Sequence, residues 1–334
     1  MKKHINIPIF VTHLGCPHMC VFCNQRTIAG REAPDFSKVG DEIEAALSSV
    51  DTSAQEAQIA FFGGSFTGID REDMLYLLSV GKKFIDDGRV KSIRISTRPD
   101  YIDDGIIEIL LRYGVRAVEL GVQSCSDKVL QICERGHSAE ETYAAAKKIT
   151  DAGLEFYGQM MTGLPGSTAE DEVFTAREIV RMGAVGARIY PTVVFRGTRL
   201  AEMARAGEYV PLSQEENVER AERVFEVFQA AGVNVIRIGL QSSETLTSGE
   251  EVACGEYDEA IGEMVIARYF EKKLRALITS KNEKNITVYV NPRRISCAVG
   301  YRGENRKKLT AENGLSSLKI LGDEKLGEFD VRIF

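Results

Sequence analysis

The chain has 334 residues and a formal net charge of −7, length enough for one large domain or a large domain with a small one. No stretch reaches 18 consecutive apolar residues, which excludes a membrane-spanning helix, and the opening "MKKHINIPIF" has no long apolar run or small-residue cleavage site and so is no secretion signal. The acidic balance argues against a surface that coats nucleic acid indiscriminately; a cytoplasmic setting is expected, where seven reduced cysteines read as metal ligands, catalytic groups or buried apolar residues.

In chain order, β-branched runs alternate with segments of helical period. The runs are "INIPIFVTH", "AQIAFFGG", "SIRISTRP", "AVELGVQS", "LEFYGQMMTG" and "GARIYPTVVF", and a seventh strand fits at "VNVIRIGLQ". Between them stand amphipathic stretches such as "DEIEAALSSV", "DDGIIEILLRYG" and "AEETYAAAKKITDAG". This alternation predicts parallel βα units, in an α/β fold best read as a partial (β/α)6-type barrel. A doubly wound sheet is the competitor, but no Gly-rich dinucleotide fingerprint follows the first strand. In barrels, chemistry gathers at the carboxyl ends of the strands. The cysteine loop after strand one, "GGS", "TRPD", "GVQS" and "GLPG" all fall there. The expected division is a barrel over 1–245, a connecting helical segment over 246–280 and a small basic α+β module over 281–334.

The loop "GCPHMCVFCNQ" holds Cys16, Cys20 and Cys23 in C-x3-C-x2-C spacing. Structural zinc wants four closed tetrahedral ligands; His18 offers a fourth, although it lies between the first two cysteines. Thiolates equally suit iron–sulfur clusters. A cluster held by three of them leaves one iron open, as catalysis requires. Cys125, Cys133, Cys254 and Cys297 stand apart and read as small buried hydrophobes.

The cysteine spacing, with Phe22 just before the last thiol, resembles the radical S-adenosylmethionine (SAM) superfamily. The resemblance implies a 4Fe–4S cluster on Cys16, Cys20 and Cys23 whose fourth iron chelates SAM and, on reduction, cleaves it to a 5′-deoxyadenosyl radical. The protein's share of such chemistry is placement and exclusion of water. "ELGVQSCSDKVLQICERGH", "STRPDYI" and "RIYPTVVFRGTRL" are similar to the branch that includes the Elongator catalytic subunit, the first of them also to oxygen-independent coproporphyrinogen oxidases. Carried over, Gly63 and Gly64 approach the methionyl group, and Ser65 replaces the usual Glu through a carbonyl or hydroxyl contact. Gln123 and Gln159 contact the ribose, and Arg135 holds the methionyl carboxylate, a task suited to a guanidinium fork. Ser96 stands where Glu is common, so its contact lapses. Tyr190, Arg196 and Thr198 either line the substrate mouth or merely turn the chain.

Beyond "IRIGLQ" no Gly-rich turn suits a coenzyme A pyrophosphate, so the acetyltransferase half of the Elongator subunit is not carried over, nor is carboxymethyl-uridine synthesis. Residues 281–334 carry eleven Lys/Arg against seven Asp/Glu, a basic tail on an acidic body. "NITVYV", "NPRRISCAV", "GYRG", "ENRKKLTAENG" and "SLKILGD" give strand–helix–GxxG–helix–strand, which resembles a KH module, whose GxxG loop clamps nucleic-acid backbone. Gly300 and Gly303 would admit phosphate, with Arg302, Lys307 and Lys308 supplying charge. Arg306 departs from the aliphatic residue usual there. A small packing domain with a solvated basic face is the competing reading.

The expectation is therefore an oxygen-sensitive radical enzyme acting on RNA, transfer RNA above all, reduced by a donor such as ferredoxin or flavodoxin. Two alternatives stand beside it: radical chemistry on a small molecule such as a porphyrin precursor, and an RNA-binding protein with a structural metal site.

Overall fold

The computed structural model describes residues 3–11, 16, 20–24, 35–51, 55–281 and 283–333. Seven parallel strands run side by side in one curled sheet. They are β1 (Lys3–Phe10), β2 (Gln55–Phe62), β3 (Ser92–Thr97), β4 (Val115–Gln123), β5 (Glu155–Thr162), β6 (Gly186–Pro191) and β8 (Asn234–Ile238). The short β7 (Val194–Phe195) leaves this sheet and pairs antiparallel with β9 (Val252–Cys254). The helices between them are α1 (Val39–Ser48), α2 (Arg71–Asp86), α3 (Asp104–Arg112), α4 (Asp127–Ile132), α5 (Ala139–Asp151), α6 (Ala169–Arg181), α7 (Arg199–Arg205), α8 (Gln214–Ala230) and α9 (Glu244–Thr247), with α10 (Ile261–Thr279) after β9. Strand follows strand in chain order, as in a barrel and unlike a doubly wound sheet, whose order reverses. The expected partial barrel is therefore observed, with its seventh strand in place.

Period-two alternation divides each strand between two faces. Ile7, Ile59 and Ile93 lie side by side in register, as do Val118 and Phe156, and all are buried under the helices. The alternate residues, among them Arg94, Glu119, Tyr157, Gln159, Arg188 and Tyr190, face the concave lumen. Helix starts follow local chemistry: Ser138, Thr168 and Ser213 each form a capping box with an acid three residues on, satisfying donors that a helix leaves open.

The C-terminal module is built from β10 (Asn285–Val290), α11 (Ile295–Val299), α12 (Glu304–Glu312), β11 (Ser317–Gly322) and β12 (Val331–Ile333), with sheet order β11-β10-β12. The strand–helix–GxxG–helix–strand order read from the sequence is present. Helix α10 serves two cores at once. Its Ile261 and Val265 pack into the barrel core, while Phe270, Leu274 and Ile278 pack with Ile286, Val288, Leu309 and Leu318 of the module. Among the described residues, no helix is long and apolar enough to cross a membrane.

Candidate active site

The three clustered cysteines lie past the carboxyl end of β1; His18 falls outside the described residues. Cys20 is buried, while Cys16 and Cys23 are partly exposed, and none of the seven cysteines forms a disulfide. The Cys23 amide donates to the Cys20 carbonyl at 2.9 Å and closes a tight turn. Neighbouring segments pin that turn: Val21 N donates to Cys133 O at 3.1 Å, and Leu200 N donates to Val21 O at 2.8 Å. The Asn24 side-chain amide donates to Arg196 O at 2.9 Å. Val21 is buried with Cys133 and Leu164, and the half-buried Phe22 packs against both this cluster and the one around Leu200. Burial pushes the Cys133 and Cys125 thiols up to about 12, so both remain neutral packing residues.

Two guanidiniums face Cys20. Arg135 Nη1 lies 3.3 Å from its sulfur, and Nη2 donates to Gly121 O at 2.7 Å. Arg98, which sequence reasoning passed over, places Nη1 4.0 Å from the same sulfur. Its Nε and Nη2 grip the Asp100 carboxylate at 2.9 Å each, and Nη2 also donates to Arg135 O at 2.5 Å. Burial disfavours the charge on Arg98. The Asp100 carboxylate and the Cys20 and Cys16 sulfurs outweigh it and hold the pKa above the ordinary arginine value. Its signal in the sequence was an arginine at a strand's carboxyl end, between Thr97 and Pro99. His137 is 7% exposed, and burial together with the neighbouring Arg135 and Arg98 charges lowers its pKa to about 4.

The remaining predicted residues fall around this centre. Gly63 has φ 106° and opens the turn after β2; Gly64 follows. The buried Ser65 hydroxyl lies 3.0 Å from Thr97 Oγ1 and accepts from Arg98 N at 3.3 Å, so it clasps the end of β2 to the end of β3. Gln123 ends β4 in the left-handed region at φ 62°, a conformation that costs a non-glycine residue about 1–3 kcal/mol and collects at functional sites. Its side-chain Oε1 accepts from Gln159 Nε2 at 3.4 Å. A Cβ on Gly121 would sit 3.1 Å from Gln123 Nε2 and 3.5 Å from Arg135 Nη2, so glycine there lets both side chains close in. Cys20, Arg98, Arg135, Gln123 and Gln159 thus converge at the carboxyl ends of β3 to β5. Ser96 is half-buried beside Glu119 in register. Arg196 Nε donates to Glu250 O at 2.8 Å, and Thr198 caps α7; both serve local structure. Tyr190 stays in the lumen, its hydroxyl accepting from Arg188 Nη1 at 3.3 Å.

In the module, Gly300 has φ 79° and a Cβ there would lie 2.8 Å from Asn305 N. Tyr301 is 67% exposed, and the Arg302 guanidinium sits 5.0 Å above its ring. Gly303 starts α12, with the Arg306 and Lys307 side chains close to it. Lys308 stays exposed and pairs with Glu271 of α10 at 2.8 Å.

Three thiols beside two buried guanidiniums form a donor set that suits an anionic thiolate-ligated cluster. Among the described residues no three His, Cys, Asp or Glu side chains crowd one point as around a single ion, and the cysteines of a cubane attach to separate irons.

Comparison with known proteins agrees. The Radical SAM superfamily matches residues 10–179, more than half of the chain, and the Radical SAM C-terminal domain matches residues 184–272. The tRNA uridine(34) acetyltransferase of Methanocaldococcus infernus is 39% identical over 137 residues, 39% of this chain and 25% of that protein. Elongator complex protein 3 of Schizosaccharomyces pombe is 34% identical over 169 residues, 48% of this chain and 30% of that protein. The chain therefore spans about a quarter to a third of the length of these relatives. An uncharacterized protein of Methanocaldococcus jannaschii is 28% identical over 228 residues, 65% of this chain and 70% of that one. The archaeal Methanocaldococcus infernus Elp3 with an N-terminal deletion shares the fold at TM-score 0.63 and 24% identity, over 82% of this chain and 64% of that one. The chain belongs to the radical SAM superfamily and is an enzyme whose cofactors are a 4Fe–4S cluster and S-adenosylmethionine.

Proposed function

We propose that this enzyme modifies RNA, with transfer RNA as the substrate class. Cys16, Cys20 and Cys23 would hold three irons. Arg135 would take the methionyl carboxylate, Gln123 and Gln159 the ribose, and Gly63, Gly64 and Ser65 would offer backbone to the methionyl end. Phe22 packs the cysteine loop against the wall of the site. When bound, the reduced cluster and SAM supply a carbon-centred radical that abstracts hydrogen from the substrate. The chain's own residues do the rest. Arg98 and Arg135 place positive charge beside Cys20, and the buried Val21, Cys133 and Leu164 shield the loop from water on one side. On this reading residues 1–245 carry the chemistry, 246–280 connect, and 281–334 dock the RNA. The enzyme works in the cytoplasm, is oxygen-sensitive, and draws electrons from a ferredoxin or flavodoxin.

The observation that carries the RNA half is the GYRG loop. It presents an exposed aromatic ring capped by a guanidinium between two left-handed glycines, with Lys307 alongside. Such a loop can stack on a base and clamp backbone phosphate. The similarity of residues in the barrel to tRNA uridine(34) acetyltransferases points to the same polymer. The test is anaerobic incubation of the reconstituted enzyme with SAM, reductant and transfer RNA, followed by nucleoside mass spectrometry. A mass-shifted nucleoside that appears only with SAM is expected, and replacing Arg302 and Lys307 by Gln in the full chain should weaken transfer-RNA binding. An unchanged nucleoside profile together with unchanged binding overturns the reading.

A further inference from the structure

Two successive peptides at the end of β5 are gripped from outside the strand. Thr162 O accepts from Thr192 N at 2.9 Å and from Thr192 Oγ1 at 2.7 Å. Gly163 N donates to Glu172 Oε1 of α6 at 2.5 Å, and Gly163 O accepts from the Tyr209 hydroxyl at 2.7 Å. Arg220 of α8 fixes the carboxylate in turn. Its Nε donates to Glu172 Oε2 at 2.8 Å and its Nη2 to Oε1 at 2.6 Å, while Nη2 also reaches Ser167 O at 3.0 Å. Glu172 and Tyr209 are buried, so a polar group left without its partner here is costly. Gly163 has φ 74°, a region that glycine enters without strain, and the turn delivers Leu164 into the protein.

Leu164 is where this grip meets the cysteine loop. It is buried with Val21 and Cys133, so it backs the first of the two residues between Cys20 and Cys23. The second, Phe22, packs against this cluster and against another that holds Val194, Leu200, Ala201 and Tyr209. Tyr209 thus belongs to one wall of the loop through its ring and holds the other through its hydroxyl. Leu200 N joins the two by donating to Val21 O at 2.8 Å. We infer that Tyr209, Glu172 and Arg220 are positioning residues that set the place of Cys20 for the cluster. They act through Leu164, Val21 and Phe22, which pack the loop from both sides. The arrangement crosses the two matched regions: the cysteine loop and Glu172 lie within residues 10–179, Tyr209 and Arg220 within residues 184–272. The C-terminal part of the barrel therefore shares in holding the cluster ligands. The inference rests on the cysteine trio and not on the choice of RNA as substrate.

The test alkylates the metal-free full chain with iodoacetamide, anaerobically and with a phosphine reductant, and reads each cysteine by peptide mass spectrometry. Cys20 and Cys125 are about equally buried, at 6% and 5% exposed. Cys125 belongs to the main barrel core, so it reports general loosening. Each rate is compared with that of the same cysteine in the wild type, which cancels intrinsic reactivity. Tyr209→Phe keeps the ring and deletes one hydrogen bond. It should speed alkylation of Cys20 about fivefold, the factor that one net hydrogen bond carries in a local opening, with Cys125 unchanged. Glu172→Gln keeps the shape but loses the charge that holds Arg220, and should free Cys20 in the same way. In the reconstituted holoenzyme both variants should lose iron to a chelator faster than the wild type. Rates of alkylation and iron loss that neither variant moves, or a rise in Cys20 that Cys125 shares equally, overturn the assignment. So does a wild-type Cys20 that reacts as fast folded as in urea. No turnover is read, so the result stands apart from whether the substrate is RNA.

Discussion

Cys20 is the residue on which the site's electrostatics turn, because its sulfur faces two guanidiniums fixed by other contacts. Arg135 is tethered to Gly121 O and Arg98 to Asp100, so neither can swing away when charge gathers on the sulfur. Hydrogen bonds and positive charge near cluster sulfurs stabilise the reduced state. Arg98→Gln keeps the volume and removes the charge. It is expected to move the cluster's reduction potential to a more negative value with iron content preserved, and Arg98→Lys should recover part of the shift. Redox titration followed by electron paramagnetic resonance checks this; an unmoved potential in Arg98→Gln contradicts it. His137 allows a second test. Its folded pKa of about 4 lies below the ordinary 6.5, so between these values the unfolded chain binds a proton that the native one refuses. Stability is then fully present above pH 6.5 and declines as pH falls toward 4. For this residue alone the loss from pH 7 to pH 5 is about 2 kcal/mol. Urea unfolding at the two pH values should show that increment in the wild type and lose it in His137→Gln.

The elements were legible in the sequence for a physical reason. Parallel strands under helices are apolar on their outer face, so "AQIAFFGG" and "SIRIST" announce themselves. The cysteine loop drew attention by its place after the first strand, since barrel chemistry collects at strand ends, whereas Gln123, Arg135 and Gln159 were singled out only through the resemblance to the radical SAM superfamily. Register was not legible. Nothing in "RIYP" or "VIRIG" says that Arg188 and Arg237 stand side by side, because that depends on a bulge between Ala187 and Arg188. Tyr301 was missed for another reason, as its exposure is set by the tertiary placement of the loop. Close packing of helix on strand also escapes sequence reading, and Gly158 shows it. A Cβ at Gly158 of β5 would lie 2.5 Å from Ile179 Cγ2 of α6. Gly158→Ala should therefore destabilise by about 1–3 kcal/mol through overpacking. In an Ile179→Ala background, where the space is freed, the same change should cost much less, and a double-mutant cycle by urea unfolding measures that coupling.

At the scale of the whole molecule, α10 joins the barrel to the module, and Asn305 fixes the GYRG loop to that joint. Its side-chain NH2 donates to Ala267 O on α10 at 2.9 Å and to Cys297 O and Ala298 O at 3.3 Å each. The side chain is buried against Gly300, so the loop cannot shift without breaking these bonds. Asn305→Asp is isosteric but turns a donor into a carboxylate facing three carbonyls. A buried carboxylate without a donor must either bear the repulsion or take up a proton, and the module should lose about 2–4 kcal/mol. The barrel end of α10 is held separately by Ile261 and Val265 in the other core. Cleavage of SAM without RNA should thus continue within about twofold of wild type, while transfer-RNA affinity falls with the loop's position. Hydrogen exchange should locate the loosening in residues 295–312 and leave β1 to β6 protected. Faster exchange spread evenly over the barrel would mean that the two cores unfold as one unit and that α10 transmits the damage rather than confining it.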